Sequence, residues 1–201
     1  MNTQADNRTI KQQQILDAAI ELIGAHGDAG LTMRKLADRA DMSLSNVQYY
    51  FKSKDIVLAA MVDRYCAACE EAFLALANEC ADWPLVERME RLIGDLLKHG
   101  DEVSDMCRVF RELWAIATRN AVVQQALERY YRQLCALISQ SMLGSDATTD
   151  DQHMLATLVL PYIEGYSITA PSLPMARTET TRMLTGLLLQ RFDGERPSRE
   201  R

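Results

Sequence analysis

The 201-residue chain is long enough to bury a hydrophobic core without disulfide or metal support. Its composition, 48% hydrophobic and 25% charged, excludes a wholly disordered protein and a low-complexity repeat. The net charge of −6 is unevenly spread, because residues 1–54 carry seven basic and six acidic side chains whereas residues 55–201 carry fifteen and twenty-two. This asymmetry points weakly to different partners for the two segments.

The sequence predicts a cytoplasmic protein without a membrane anchor. No stretch approaches the roughly 18–20 apolar residues of a membrane span, and the first residues lack the apolar core of a signal peptide. The odd number of cysteines, five, argues against a secreted disulfide framework. Cys66 and Cys69 form a C-x-x-C pair without a βαβ context or a second ligand pair, so we expect helix residues and no metal or cofactor.

Apolar residues recur at helical spacing almost everywhere, which predicts an all-α protein of about nine helices. The predicted helices cover residues 9–26, 33–40, 44–51, 54–80, 84–100, 103–117, 122–142, 152–169 and 178–192. Local signals mark several of their ends. Gly27 ends the first helix, and Thr32, Ser43 and Ser53 are N-cap residues of the next three. The segment 170–177 is a predicted loop because it contains two prolines.

The second and third helices are short and are joined by Asp41-Met42-Ser43. This spacing is typical of a helix-turn-helix, whose second helix enters the major groove of DNA. The predicted outer face of that helix carries Leu44, Ser45, Asn46 and Gln48, with Val47 and Phe51 turned inward; amides can read adenine edges. Tyr49, Tyr50, Lys52 and Lys54 follow and suit phosphate oxygens. The spacing alone also fits an ordinary helical pair with an aromatic hinge.

An ordered set of motifs runs through residues 10–60: ILDAA at 15–19, Gly27, LTMRKLA at 31–37, ADMS at 40–43 and YYFKSK at 49–54. These motifs resemble the N-terminal domain of TetR-family transcriptional regulators. The resemblance implies contacts with operator DNA by Thr32, Arg34, Ser43, Leu44, Ser45, Asn46, Gln48, Tyr49, Tyr50 and Lys54. Asp41, Ser45 and Gln48 depart from the Gly, Gly and Tyr common in the family, which changes the expected operator sequence rather than the mode of binding.

The resemblance implies a DNA-binding domain over residues 1–54 and a helical effector-binding and dimerisation domain over residues 55–201. Family members pair through their last two helices, and two identical recognition helices fit a palindromic operator in double-stranded DNA. The residues expected at a homodimer interface are Leu155, Leu158, Val159, Tyr162, Tyr166, Leu184, Leu187 and Leu188. The alternative is that these apolar stripes face the core of their own subunit.

A small-molecule effector site needs a largely apolar cavity with a few polar groups. The side chains expected to line it are Met89, Met106, Phe110, Arg111, Trp114, Tyr130 and Tyr162, although the same residue types also describe an ordinary core. The segment Phe110–Ala115, with Tyr130 and Glu164-Gly165-Tyr166, loosely resembles the C-terminal domain of regulators of choline–betaine metabolism. An effector is expected to tilt the long fourth helix and so change the separation of the two recognition helices.

The expected function is therefore that of a ligand-responsive transcriptional regulator, with repression the commoner mode in the family. An enzyme is not expected, because the three histidines, His26, His99 and His153, are scattered and no nucleophile, phosphate-loop or metal motif is present. The remaining alternative is a helical adaptor that binds only protein and has a non-functional DNA-binding head. Binding of duplex DNA with a steep salt dependence separates the two.

Overall fold

The computed structural model describes residues 3–101, 105–143 and 148–193. This part of the chain contains nine α-helices, one short 3-10 helix and no strand, so the all-α prediction is confirmed. The helices are α1 (Thr3–Gly30), α2 (Met33–Arg39), α3 (Leu44–Tyr50), α4 (Lys54–Glu79), α5 (Leu85–Asp101), α6 (Asp105–Ala117), α7 (Ala121–Leu143), α8 (Thr149–Thr169) and α9 (Arg177–Asp193). No helix of the described residues combines the length and apolarity needed to cross a membrane.

One compact unit is built from the described residues of 1–68 and 104–131. In it α1 packs on α6, and α1 and α3 both pack on α2. Its core includes completely or almost completely buried side chains from each of these helices. They are Ile15, Ile23, Leu36, Val47 and Leu113.

The second compact unit is built from the described residues of 69–103 and 132–201. Here α5 packs against both α8 and α9, and Met89, Leu92 and Ile93 on α5 are completely buried. The chain passes from one unit to the other three times: within α4, between α5 and α6, and within α7. The functional boundary expected at residue 54 remains a prediction, since it concerns roles rather than packing.

The predicted helix ends are confirmed where local chemistry fixes them. Gly27 has φ 61° and interrupts α1, a backbone conformation that glycine adopts without a Cβ clash. The Thr32 hydroxyl accepts a hydrogen bond from the Lys35 amide at 3.2 Å, and the Ser43 hydroxyl accepts one from the Asn46 amide at 3.2 Å. Each hydroxyl thus caps the first turn of its helix, where the backbone amides lack the usual i−4 carbonyl partner.

The start of α8 differs from the sequence expectation. The helix begins at Thr149 rather than at residue 152, because Thr148 and Asp151 form a reciprocal capping box. The Thr148 hydroxyl accepts from the Asp151 amide at 3.2 Å, and the Asp151 carboxylate accepts from the Thr148 amide at 3.0 Å. The apolar pattern from which the helix was predicted begins only after this polar first turn.

The turn between α2 and α3 depends on Asp41, which has φ 52° and is the only described non-glycine residue with positive φ. This conformation lets the Met42 amide donate to the Ala37 carbonyl at 3.0 Å. Aspartate tolerates the left-handed region better than most residues, so it can replace a glycine at this position of the turn.

Substitution of Asp41 tests the cost of this turn. We expect Asp41→Val to lower the free energy of unfolding by about 1–2 kcal/mol, because a β-branched side chain disfavours positive φ. Asp41→Gly should stay within about 0.5 kcal/mol of the wild type or stabilise it. Denaturant titration measures both.

The matched control is Asp38→Val, at an exposed position inside α2. Valine and aspartate have similar helix propensities, so this change should cost less than about 0.5 kcal/mol. Equal losses at positions 38 and 41 would contradict the role assigned to the turn.

Candidate nucleic-acid interface

The short helix α3 is held by two buried apolar side chains on one of its faces. Val47 is completely buried, and Phe51, just beyond the last turn, is 5% exposed. The Phe51 amide continues the helical bonding by donating to the Val47 carbonyl at 2.9 Å. Because these residues face inward, the opposite face of α3 is presented to solvent, as the sequence predicted.

The outward face of α3 carries three exposed polar side chains, Ser45, Asn46 and Gln48, beside the half-buried Leu44. Amide side chains offer a donor and an acceptor together, which is the pattern that matches an adenine edge. The hydroxyl oxygens of Ser43 and Ser45 lie 3.0 Å apart, so one hydroxyl donates to the other and the start of this face is ordered. The arrangement suits contact with bases in a groove.

Hydroxyl and guanidinium groups flank this face. Thr32, Arg34 and Tyr49 are exposed, while Tyr50 is half-buried with its ring packed edge-on to that of Tyr49 at 5.1 Å between centroids. The Thr32 oxygen accepts the capping bond from Lys35, which leaves its O–H proton available as a donor. These groups have the chemistry and exposure needed to bind phosphate oxygens.

Lys54 was expected to contact phosphate, and the structure shows it engaged within the protein. Its ammonium nitrogen lies 2.8 Å from Asp28 Oδ1 and donates to the Asp28 carbonyl at 2.7 Å. These bonds use two of its three N–H donors, so only one remains for another acceptor. Sequence reasoning missed the contact because Asp28 lies 26 positions away along the chain.

Asp28 is shared by two cations. Its Oδ2, the carboxylate oxygen that Lys54 does not contact, lies 3.3 Å from an Arg119 guanidinium nitrogen. The hydrogen bond from Lys54, with a further one from Arg119, lowers the pKa of the Asp28 carboxyl below its ordinary value, although partial burial opposes the shift. The carboxylate therefore links the segment before α2 to the first turn of α4 and to the end of α6.

The residues expected to line an effector site are only partly brought together. Phe110 and Tyr130 are buried, and both pack on Tyr65, a residue not predicted to line the site; the Phe110 and Tyr65 rings stack with 4.3 Å between their centroids. Trp114 is 51% exposed and donates to the Tyr131 hydroxyl at 2.7 Å.

The predicted effector set has four further members. Arg111 is exposed on α6, the side chain of Met106 lies outside the described residues, and Met89 and Tyr162 belong to the second unit. Met89 is completely buried, which favours the core interpretation for that residue. The effector site itself stays a prediction.

The apolar residues expected at a dimer interface divide into two groups. Leu158 and Leu187 are 49% and 59% exposed, and Tyr162 is half-buried with its ring stacked near that of Tyr166. Five others are buried in this chain, and their part in an interface stays a prediction: Leu155, Val159, Tyr166, Leu184 and Leu188. Two further apolar residues of these helices are exposed, Ile168 and Met183. The apolar stripes are too wide for the sequence alone to show which edge faces outward.

The profile described as "Bacterial regulatory proteins, tetR family" matches residues 15–61, the segment that contains the helix-turn-helix. An HTH-type transcriptional regulator from the dhlA 5′ region of Xanthobacter autotrophicus is 42% identical over 182 residues, which cover 90% of each chain. The protein belongs to the TetR family. A second relative, the HTH-type transcriptional regulator BetI of Serratia proteamaculans, is 23% identical over 69% of this chain and 72% of its own.

Solved structures show that the TetR-family fold extends beyond the matched segment. A transcriptional regulator of Streptomyces coelicolor A3(2), SCO7518, is 20% identical with a TM-score of 0.72, covering 89% of this chain and 97% of its own. The multidrug binding protein EbrR, complexed with imidazole, is 20% identical with a TM-score of 0.67 and coverages of 89% and 94%. The chain is thus a helix-turn-helix transcriptional regulator of the TetR family, and not an enzyme.

The Asp28 contacts predict a pH dependence of stability. Because the pKa of Asp28 is lowered in the folded state, the unfolded chain binds more protons near pH 4, and the stabilisation by the carboxylate is lost as the pH falls through the folded pKa. We expect Asp28→Asn to cost about 0.5–1 kcal/mol at pH 7 and to make the loss of stability on acidification shallower. Thermal unfolding between pH 7 and pH 3 measures this.

Asp82→Asn, at an exposed aspartate between α4 and α5, provides the control. It removes the same charge and should leave the acid profile close to that of the wild type. Identical profiles for the wild type and Asp28→Asn would show that Lys54 and Arg119 do not stabilise the carboxylate.

Proposed function

We propose that the protein is a cytoplasmic repressor that binds a palindromic operator in double-stranded DNA as a homodimer and is released or retuned by a small-molecule effector. The observation that carries the proposal is the geometry of α3, whose buried Val47 and Phe51 leave Ser45, Asn46 and Gln48 exposed on one face. A polar, narrow helix face of this kind suits the major groove, which is about 12 Å wide.

The requirement for two copies follows from the size of α3. A helix of seven residues reaches too few bases and phosphates for useful affinity, whereas two related by a two-fold axis read two half-sites. The exposed apolar residues of α8 and α9 supply a surface for pairing. They are Leu158, Ile168, Met183 and Leu187.

Two observations support the proposed effector response: a neighbour in fold and an aromatic cluster in this chain. A neighbour in fold, EbrR, is described as a multidrug binding protein. In this chain the aromatic cluster of Tyr65, Phe110 and Tyr130 lies on α4, α6 and α7, and α4 runs from that cluster directly to the helix-turn-helix. An effector that binds more tightly when α4 is tilted than when it is not would change the affinity of the protein for DNA.

Selection of bound duplexes from a random pool tests DNA recognition, and titration of the selected duplex at several salt concentrations tests the phosphate contribution. A palindrome whose half-sites lie about one helical turn apart is expected. Failure to bind any duplex at low ionic strength would overturn the proposal and favour the adaptor alternative. Titration of the protein–DNA complex with metabolites and drugs then tests the effector response. If no compound changes the affinity for DNA, the proposed effector response is overturned.

Base reading by α3 is tested with Asn46→Ala and Gln48→Ala. Each should lose roughly 1–3 kcal/mol of discrimination at particular base pairs, because an exposed amide that pairs with a base edge is removed. The Ser43 cap is kept in both variants, since it binds the backbone amide of residue 46. Binding to a panel of single-base operator variants measures the change.

Gln125→Ala, at an exposed glutamine on α7, is the matched control and should bind the whole panel as the wild type does. If either α3 variant keeps the wild-type preference at every base pair, that residue does not read the operator.

Pairing through α8 and α9 is tested with Leu187→Glu. A charge placed on an apolar surface that becomes buried on pairing should convert the dimer to a monomer and lower operator affinity by at least about tenfold. Leu74→Glu, at a leucine of α4 that is 40% exposed, is the control. Sedimentation velocity measures the mass, and a Leu187→Glu variant that remains dimeric would place the interface elsewhere.

A further inference from the structure

The corner between α6 and α7 contacts the helix-turn-helix region at two separate points. Arg119 pairs with the Asp28 carboxylate at 3.3 Å, and the Asn120 amide nitrogen donates to Asp55 Oδ1 at 2.7 Å. All four residues belong to the same compact unit. Arg119 and Asn120 also lie well outside residues 15–61, where the family profile matches.

The two contacted residues bracket the DNA-reading segment. Asp28 precedes the Thr32 cap of α2 by four residues, and Asp55 follows Phe51 by four residues. Contacts on both sides of the segment restrict the rotation of α2 and α3 more than a single contact would. The ammonium of Lys54, next to Asp55, is held by the same Asp28 carboxylate that Arg119 binds.

The Asn120 side chain has a defined orientation because both ends of its amide are used. Its oxygen accepts hydrogen bonds from the amides of Val122 at 3.1 Å and Val123 at 3.2 Å, which caps the first turn of α7. Its nitrogen is therefore the end that faces Asp55. The corner is also anchored in the core by Ile116 and Val123, which are almost completely buried.

We infer that Arg119 and Asn120 are positioning residues for DNA recognition: they hold the two ends of the helix-turn-helix and thereby set the orientation of α3. The inference rests on the proposed binding of a palindromic operator. An ion pair as exposed as Arg119–Asp28 adds little to stability. Its effect on binding is larger, because operator DNA fixes the separation of the half-sites and a displaced α3 no longer matches both.

Exchange of the two partners of one contact tests the inference. Asn120→Asp keeps an oxygen to cap α7 but sets two carboxylates against each other, so it should break the contact with α4. Asp55→Asn combined with Asn120→Asp restores a hydrogen bond in the reverse direction and has the net charge of the wild type. Asn78→Asp, at an exposed asparagine of α4, controls for the added charge.

Two quantities are measured on the full chain: affinity for the selected operator, and the ratio of that affinity to the affinity for a duplex with one base pair inserted between the half-sites. Asn120→Asp should bind the operator roughly 3- to 30-fold more weakly and discriminate less against the inserted base pair. The double variant should recover both quantities to within about twofold, and Asn78→Asp should change neither. A loss of stability alone would not alter the spacing ratio of the folded fraction.

The outcomes distinguish this inference from the proposed function. If the wild type binds no duplex, both are overturned. If the wild type binds but Asn120→Asp matches it in affinity and spacing ratio, or if the double variant recovers neither, only the positioning role is overturned. Should Asn120→Asp unfold, Arg119→Gln replaces it, because that exposed side chain can lose its charge without disturbing the core; an unchanged spacing ratio would then overturn the role.

Discussion

The position of α3 rests on the burial of Val47 and Phe51, because a helix of seven residues is too short to be stable by its own hydrogen bonds. Tertiary packing supplies what the backbone lacks, and the Ser43 cap orders the first turn. One buried face determines which residues remain outside. The polar surface available to DNA is therefore a consequence of how the apolar side of the same helix packs, and both properties are encoded within eight consecutive residues.

Features with local causes were predictable from the sequence. The hydroxyl caps at Thr32 and Ser43 and the chain breaks at Gly27 and Asp41 depend on a few neighbouring atoms, so residue type and spacing identify them. Helical periodicity located the remaining elements to within a few residues, except that α1 begins at Thr3 rather than at residue 9. The start of α8 was missed because its capping box precedes the apolar pattern that was used to find the helix.

Features that depend on distant parts of the chain were not predictable. The sequence does not reveal the ion pair of Lys54 with Asp28, and the Arg119–Asp28 pair joins positions 91 residues apart. The stripes on α8 and α9 are apolar around much of each helix, so periodicity could not tell the buried Leu155 from the exposed Leu158. Only the packing against α5 decides which residues remain exposed.

The makeup of the first compact unit has a consequence for engineered chimeras. Grafting residues 1–54 onto another regulator would transfer α3 but would remove the contact of α1 with α6, so that the surface of α1 at Gly24, which lies beside Val109, would meet a foreign protein. A chimera that also includes residues 105–131 would keep the packing of α6 on α1. Portability of DNA specificity within such proteins is thus limited by a segment that is remote in sequence and adjacent in space.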